Sequence, residues 1–193
     1  MQSPYSPFLP SSEGWIRLCA IMPEMNPNLW APWRSEYIRS LGEKADDEDC
    51  FLCSYAADQA HDPQNRVIYR STGFLTVMNR YPYTNGHLMI APLRHAGTLD
   101  ELSDNELGAA SLLIRDSIKM LAIAVSAHGY NVGLNLGRCA GAGLPGHVHW
   151  HVVPRWNGDT NFMTIVGSTR VIAESLDEVH DRLRTAAAEL GLV

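Results

Sequence analysis

Apolar and polar positions alternate with different periods along this chain, and three runs in its first half are typical of strands. The β-rich runs at 65–69 and 74–78, separated by Ser71-Thr72-Gly73, predict a hairpin. Turn-forming residues fill 81–86, and the apolar run at 87–92 then predicts a buried strand that ends at its proline. A helix or loop is expected before the first of these strands.

From Ser103 the period becomes helical. Ser103 and Glu106 have the spacing of a capping box, and apolar residues recur every three or four positions up to 128–129. This pattern predicts one long helix. The alternation at 131–136 then predicts a further strand.

The last third of the chain combines a loop, a strand and a helix. Residues 137–146 form a glycine-rich loop, strand alternation resumes over 147–153, and an amphipathic helix is expected from about 176 to 190. The order strands, long helix, strands, helix favours an α+β domain whose sheet is mostly antiparallel.

The N-terminal region lacks these patterns. We expect residues 1–26 to be a disordered leader and 27–193 to form a single domain, with a short helix at 34–41 and a solvated acidic turn at 42–49. No apolar stretch approaches the roughly 18 residues that span a bilayer, and the charge pattern before Met22 does not fit a signal peptide.

Composition narrows the class of protein. The 193 residues are 46% hydrophobic, which suffices for a core, and 15 basic against 21 acidic side chains give a net charge of −6. General nucleic-acid coating is therefore excluded as a function. Four cysteines are too few for a secreted disulfide scaffold, and the C-x-x-C of Cys50 and Cys53 is typical of a metal or redox pair in a reducing cytoplasm.

The segment 146–155 carries the most informative motif. Because side chains alternate along a strand, His147, His149 and His151 should share one face, opposite an apolar face. Burying three imidazoles is costly unless each has a partner. We therefore expect that something is bound or transformed there.

Two chemistries fit three histidines at this spacing. They could ligate a metal, or one could act as a nucleophile that its neighbours orient and assist. The outer pair, His147 and His151, should lie about 13 Å apart along a strand, too far for both to ligate one ion through bonds of about 2.1 Å. At least one histidine is then left for another role.

The pattern His-φ-His-φ-His-φ-φ resembles the signature of the histidine triad, or HIT, superfamily of nucleotide hydrolases and transferases. The segments 79–82 and 86–92 resemble its nucleotide-side strands, and 135–137 with 140–141 resemble the loop before the triad. The resemblance covers about 50–157, and flanking segments are most similar to a bacterial branch of diadenosine tetraphosphate phosphorylases and hydrolases.

This resemblance implies a HIT-like fold with a five-stranded antiparallel sheet and a homodimer across which the sheets continue. It also implies cleavage of a dinucleoside polyphosphate, similar to diadenosine tetraphosphate. His149 would attack the α-phosphate to form a nucleotidyl-histidine, which water or phosphate then releases. His151 would hydrogen-bond the phosphoryl oxygens or the leaving group. No organic cofactor is implied.

Substrate-binding residues follow from the same resemblance. Asn79 matches a position that binds the ribose hydroxyls, and His87 is expected near the phosphates or supporting the triad. Asn135 and the glycine-rich loop, with Gly141 and Gly143, would contact the phosphates through amide and backbone N–H groups.

A second site is implied by the zinc-containing members of the superfamily. Their ligand positions match Cys50, Cys53, His95 and His147 here. A closed tetrahedral zinc at these residues would be structural, and it would anchor the chain two residues before His149.

The sequence also departs from the family pattern and leaves alternatives open. The stretch Gly143-Leu144-Pro145-Gly146 lacks the Ser or Thr that many members place before the triad, so the choice between water and phosphate stays open. A cupin-type metalloenzyme would need an acidic ligand that 152–155 do not supply. A zinc-stabilised nucleotide-binding protein without turnover, and a hydrolase of another conjugate such as a nucleoside phosphoramidate, are the other readings.

Overall fold

The computed structural model describes residues 50–159, 172 and 174–193. The expectations for 1–26, 34–41 and 42–49 lie outside these residues. The α-helices are α1 (Phe51–Ala57), α2 (Asp104–Val125) and α3 (Leu176–Glu189). The strands are β1 (Val67–Ser71), β2 (Phe74–Met78), β3 (Leu88–Pro92), β4 (Gly129–Leu134) and β5 (Trp150–Arg155).

The five strands form one antiparallel sheet in the order β1-β2-β3-β5-β4. The predicted hairpin is present as β1 and β2, although β1 begins and ends two residues later than the predicted 65–69, and its register is irregular between Val67 and Tyr69. All five residues of β3 are buried, because this strand lies in the middle of the sheet. The α+β, HIT-like fold class expected from the sequence is confirmed.

Helix α2 begins where its capping box predicts. Ser103 Oγ accepts a hydrogen bond from the Glu106 N–H at 3.3 Å, and the Glu106 carboxylate accepts one from the Ser103 N–H at 2.8 Å. The helix ends at Val125, a few residues earlier than expected, because Ser126 adopts the left-handed conformation with φ 49°. Strand β4 correspondingly begins and ends about two residues earlier than the predicted 131–136.

The two faces of the sheet pack differently. Helices α2 and α3 cover the larger apolar core, in which Ile90, Trp150 and Leu121 are buried. On the opposite face a smaller core includes Met89 and Val77, and aromatic residues of α1 pack against it. The second face leaves room for a cleft beside α1.

Strand β1, at one edge of the sheet, is capped by side chains of α3. The His180 Nε2–H donates to the Val67 carbonyl at 3.3 Å, and Arg184 Nη1 donates to the Ile68 carbonyl at 2.6 Å. Strand β4 lies at the other edge, and several of its residues are exposed, including Val132 at 44%. The two edges are therefore chemically unlike.

Within the described residues, no helix is both long enough and apolar enough to cross a bilayer.

Candidate active site and metal centre

The three histidines reach their positions in a way that the sequence pattern did not predict. Strand β5 begins at Trp150, so His147 and His149 precede it and only His151 lies within it. The Val148 N–H donates to the Ala96 carbonyl at 2.7 Å, which holds this approach to the strand. The expected strand over 147–153 was therefore wrong at its start, although Val148 and Trp150 do pack in the larger core.

His149 is held in one orientation by its own backbone. Its Nδ1 lies 2.8 Å from the His147 carbonyl oxygen, a contact that requires the ring proton on Nδ1. The neutral ring then has its lone pair on Nε2. The residue is only 7% exposed, and burial lowers its pKa, which the hydrogen bond to the carbonyl partly opposes.

His151 lies between two polar partners. Its Nδ1 is 2.9 Å from Nε2 of His87, and its Nε2 is 3.3 Å from the side-chain amide nitrogen of Asn135. Its ring centroid is 4.9 Å from that of His149, with the planes at 75°. The sequence-predicted His149, His151 and Asn135 thus come together.

A cleft of about 230 Å³ runs beside these rings. The sequence-predicted residues that border it are His149, His151, Asn79, Asn135, Gly141 and Gly143. Gly141 has φ +86°, and a Cβ there would meet nothing within 4 Å. Glycine is therefore favoured here by the backbone conformation and not by lack of space. The glycine-rich loop therefore forms one wall.

His87 differs from the other predicted substrate-binding residues in its position. It is fully buried behind His151 and is not among the residues that border the cleft. Its Nδ1 accepts a hydrogen bond from the Tyr83 backbone N–H at 3.2 Å, and its ring stacks on Tyr83 at 4.7 Å between centroids. In this position His87 is better placed to support the triad than to contact the substrate directly.

The Asn79 side chain stabilises the loop that follows it. Its Oδ1 accepts a hydrogen bond from the Tyr81 N–H at 2.8 Å, and its Nδ2 lies 3.3 Å from His87 Nδ1. A carboxamide has two N–H groups and two acceptor lone pairs, so one of each is left for a ligand.

Sequence reasoning missed several residues that border the cleft. Phe51 and Tyr55 of α1 line it with ring centroids 5.4 Å apart, and Arg66, Arg80 and Tyr83 also border it. None of its described bordering residues is Asp or Glu, so the cleft suits an anion although the chain is acidic. The aromatic residues beside Asn79 and next to the C-x-x-C are the feature of the sequence that could have indicated these walls of the cleft.

A second cluster brings together the four predicted metal ligands, Cys50, Cys53, His95 and His147. Their ligand atoms all lie within 4.8 Å of one another. Cys50 Sγ is 3.1 Å from His147 Nδ1, and Cys53 Sγ is 3.2 Å from His95 Nδ1 and 3.5 Å from His147 Nδ1. A tetrahedral ion with bonds of about 2.0–2.3 Å separates its ligands by about 3.3–3.8 Å, so this group fits one.

The surroundings of His147 support that fit. Its Nε2 lies 2.9 Å from the Pro92 carbonyl oxygen, which places the proton on Nε2 and leaves the Nδ1 lone pair toward the two sulfurs. Burial lowers its pKa to about 4, so the ring is neutral, as a metal ligand must be. Burial also raises the pKa of Cys50 to about 11, the cost of placing a thiolate there without a cation.

Comparisons with known proteins agree with this geometry. The family model described as "HIT domain" matches residues 61–158. A protein of Mycobacterium tuberculosis named AP-4-A phosphorylase is 37% identical over 160 residues, which are 81% of this chain and 82% of that protein. The asymmetrical bis(5′-nucleosyl)-tetraphosphatase of Schizosaccharomyces pombe is 30% identical over 95 residues, 49% of this chain and 52% of that protein.

A solved structure shares the fold. The Zn-bound histidine triad family protein from Mycobacterium smegmatis superposes with a TM-score of 0.63 at 24% identity, covering 76% of this chain and 98% of that one. The match of the family model, together with the 37% identity over four-fifths of the chain, settles the classification. This chain belongs to the HIT domain family.

Proposed function

We propose that this protein is an enzyme that cleaves a dinucleoside polyphosphate, such as diadenosine tetraphosphate, at an α-phosphate through a nucleotidyl-His149 intermediate. The observation that carries the proposal is His149 at the wall of a cleft whose described bordering residues include no carboxylate, with Nδ1 bonded to a carbonyl and the lone pair left on Nε2. The M. tuberculosis relative named AP-4-A phosphorylase supports this choice of substrate.

The first step exchanges one bond at phosphorus for another. The lone pair of His149 Nε2 forms the N–P bond, and the bond from phosphorus to the bridging oxygen breaks, its electron pair leaving with the polyphosphate nucleotide. The ring then carries a positive charge. The His147 carbonyl oxygen, 2.8 Å from Nδ1, stabilises that charge electrostatically without moving.

His151 is the proposed donor to the departing oxygen or to a phosphoryl oxygen. Because Tyr83 N–H donates to His87 Nδ1, a neutral His87 carries its proton on Nε2 and donates it to His151 Nδ1. A neutral His151 then carries its proton on Nε2, beside the amide of Asn135. In this tautomer the Nε2–H of His151 and the side-chain N–H of Asn135 are both donors. Both can therefore donate to one phosphate oxygen.

The second step releases the nucleotide. An oxygen of water or of inorganic phosphate attacks the phosphorus, the N–P bond breaks, and its electron pair returns to His149 Nε2. The proton on the attacking oxygen passes to solvent. Leu144 borders the cleft in the stretch that lacks Ser or Thr, so no hydroxyl from that stretch favours water. We expect phosphate to compete as the acceptor.

The remaining contacts are assigned to the reacting nucleotide. Asn79 retains one N–H and one lone pair for the ribose hydroxyls, and the backbone N–H of Gly143 is assigned to the phosphates. The Gly141 N–H donates to the Arg138 carbonyl at 3.0 Å, so Gly141 contributes the turn of the glycine-rich loop and not that N–H. The rings of Phe51 and Tyr55 supply an apolar surface for the base.

The metal ligand group is proposed to hold zinc. Two sulfurs and two imidazoles with a closed tetrahedral spacing are typical of a structural zinc site, and the M. smegmatis neighbour is a Zn-bound protein. When bound, zinc would fix the segment that carries His149 and take no part in the reaction. Thiol ligands at Cys50 and Cys53 favour a reducing compartment, in keeping with a cytoplasmic protein.

A homodimer is proposed through β4. This edge strand has exposed residues, including Val132, whereas the β1 edge is capped by α3. Light scattering after size exclusion should give twice the mass of the chain, and a monomer at micromolar concentration would contradict this.

Product analysis tests the proposed function. Purified protein is incubated with diadenosine tetraphosphate, with and without phosphate, and the products are separated. ADP together with ATP indicates phosphorolysis, and AMP together with ATP indicates hydrolysis. Binding without any product would instead favour a nucleotide-binding protein, and turnover of a nucleoside phosphoramidate alone would favour that substrate class.

A further inference from the structure

Two tyrosines of the loop between β2 and β3, Tyr81 and Tyr83, border the cleft, and Tyr83 lies beside His151. The Tyr83 ring lies 5.9 Å from the His151 ring and stacks on His87 at an interplanar angle of 19°. Tyr81 borders the same cleft and is held by the hydrogen bond from its N–H to Asn79. Large rings in a turn segment are not needed for the turn itself.

A different aromatic surface lies on α1. Phe51 and Tyr55 pack edge to face and against the smaller core, which includes Met89. The cleft therefore has aromatic groups on two separate elements. A mononucleotide has one base to place, whereas a dinucleoside polyphosphate has two.

We propose that Tyr81 and Tyr83 form the subsite for the base of the leaving nucleotide. This inference rests on the proposed function, because it extends the same cleft to the second half of the substrate. His151 is the proposed donor to the departing oxygen, so the ring beside it, Tyr83, lies on the side to which the leaving nucleotide runs.

Charge along the same loop fits this direction. Arg80, between Asn79 and Tyr81, is exposed and borders the cleft, where a guanidinium can attract the phosphates that connect the two nucleosides. Stacking of a base on an aromatic side chain tolerates any base. The subsite therefore selects substrates with a nucleoside in the leaving group and not a particular base.

The test compares two substrates that share the reacting half. Diadenosine tetraphosphate loses ATP when His149 bonds the α-phosphate, and adenosine 5′-tetraphosphate loses triphosphate, which has no base. The quantity measured is the ratio of kcat/KM for the first substrate to kcat/KM for the second. Tyr81→Leu should lower this ratio by roughly 5- to 150-fold, the range for loss of one stacked base.

Matched variants separate the subsite from general damage. Tyr81→Phe, which keeps the ring, should preserve the ratio. Phe51→Leu should lower kcat/KM for both substrates together, because the reacting nucleoside is common to them. Tyr83→Leu should lower the ratio as well, whatever its effect on His87. An unchanged ratio in both Tyr81→Leu and Tyr83→Leu would overturn the proposal.

If the proposed function is wrong, the experiment gives a different result. The wild-type protein would then convert neither substrate, and calorimetric titration with diadenosine tetraphosphate decides about the subsite. Weaker binding to Tyr81→Leu than to Tyr81→Phe supports the subsite even then. Equal affinities for those two variants overturn it.

Discussion

Loss of one ligand of the proposed zinc centre should displace His149 and lower the rate of the reaction. Cys53 is the informative ligand to change, because its Sγ lies near both His95 and His147, at 3.2 and 3.5 Å, and the residue is only half-buried. Cys53→Ser therefore opens no large cavity in the core. His147, whose carbonyl holds the His149 ring, would keep its bond to Pro92 and lose its anchor on the metal.

The size of the effect follows from binding linkage and domain size. Zinc at about 100 times its dissociation constant stabilises the folded state by about 2.7 kcal/mol. For a domain of 150–250 residues, each kcal/mol corresponds to about 2–4 °C, so Cys53→Ser should lower Tm by about 5–11 °C. A displacement of about 1 Å at a nucleophile can cost about 10²-fold in rate, so we expect kcat to fall by about 10- to 100-fold.

The assay joins three measurements on protein prepared without chelators. Metal analysis gives zinc per chain, a thermal melt gives Tm, and initial rates with diadenosine tetraphosphate give kcat. Cys139→Ser is the matched control, since Cys139 is exposed in the glycine-rich loop and lies outside the ligand group. A wild-type protein without zinc, or a Cys53→Ser protein that melts like Cys139→Ser, would contradict a structural zinc at this centre.

Four other substitutions test single residues of the site and of helix α2. His149→Gln should lower kcat by at least about 10³-fold while nucleotide still binds, and a near-native rate would exclude this nucleophile. His87→Gln should lower kcat by about 10- to 100-fold with KM little changed, and a rise in KM alone would argue against a positioning role. Asn79→Ala should cost about 10- to 100-fold in kcat/KM with ribose substrates and less with a 2′,3′-dideoxy analogue, and equal losses would indicate a role in the turn alone. The guanidinium of Arg94, then the N–H of Ser103, lower the pKa of Glu106 to about 2. Wild type should therefore be more stable than Glu106→Gln above about pH 4.5, and this difference should vanish as pH falls toward 2. Thermal melts of both proteins across this pH range measure it.

Local signals explain which parts of the fold could be predicted from the sequence. The capping box of Ser103 and Glu106 fixes the start of α2 through bonds within four residues. The hairpin of β1 and β2 likewise depends on a short turn. The start of β5 could not be predicted, because it depends on the long-range bond from Val148 to Ala96. Strand alternation alone therefore placed His147 and His149 in a strand that begins after them.

The candidate site, like the fold, could be predicted from the sequence only in part. The four residues predicted as metal ligands and the three histidines of the triad have a characteristic spacing in the sequence. The first group lies together in the structure, and the rings of His149 and His151 are neighbours. The role of His87 behind His151, and the wall formed by Phe51 and Tyr55, depend on packing between distant elements. Aromatic residues carry no spacing signature of their own, so the sequence could not distinguish a cleft wall from core.

The capped edge of the sheet limits how copies of this chain can assemble. His180 and Arg184 occupy carbonyls of β1 that a strand from another molecule would need, so growth of the sheet is blocked there. Only the β4 end of the described sheet is left to pair, and antiparallel pairing of β4 with its own copy is a closed, two-fold arrangement. In the proposed homodimer, a sheet that extends at one end only would stop at two subunits and would not propagate into a fibre.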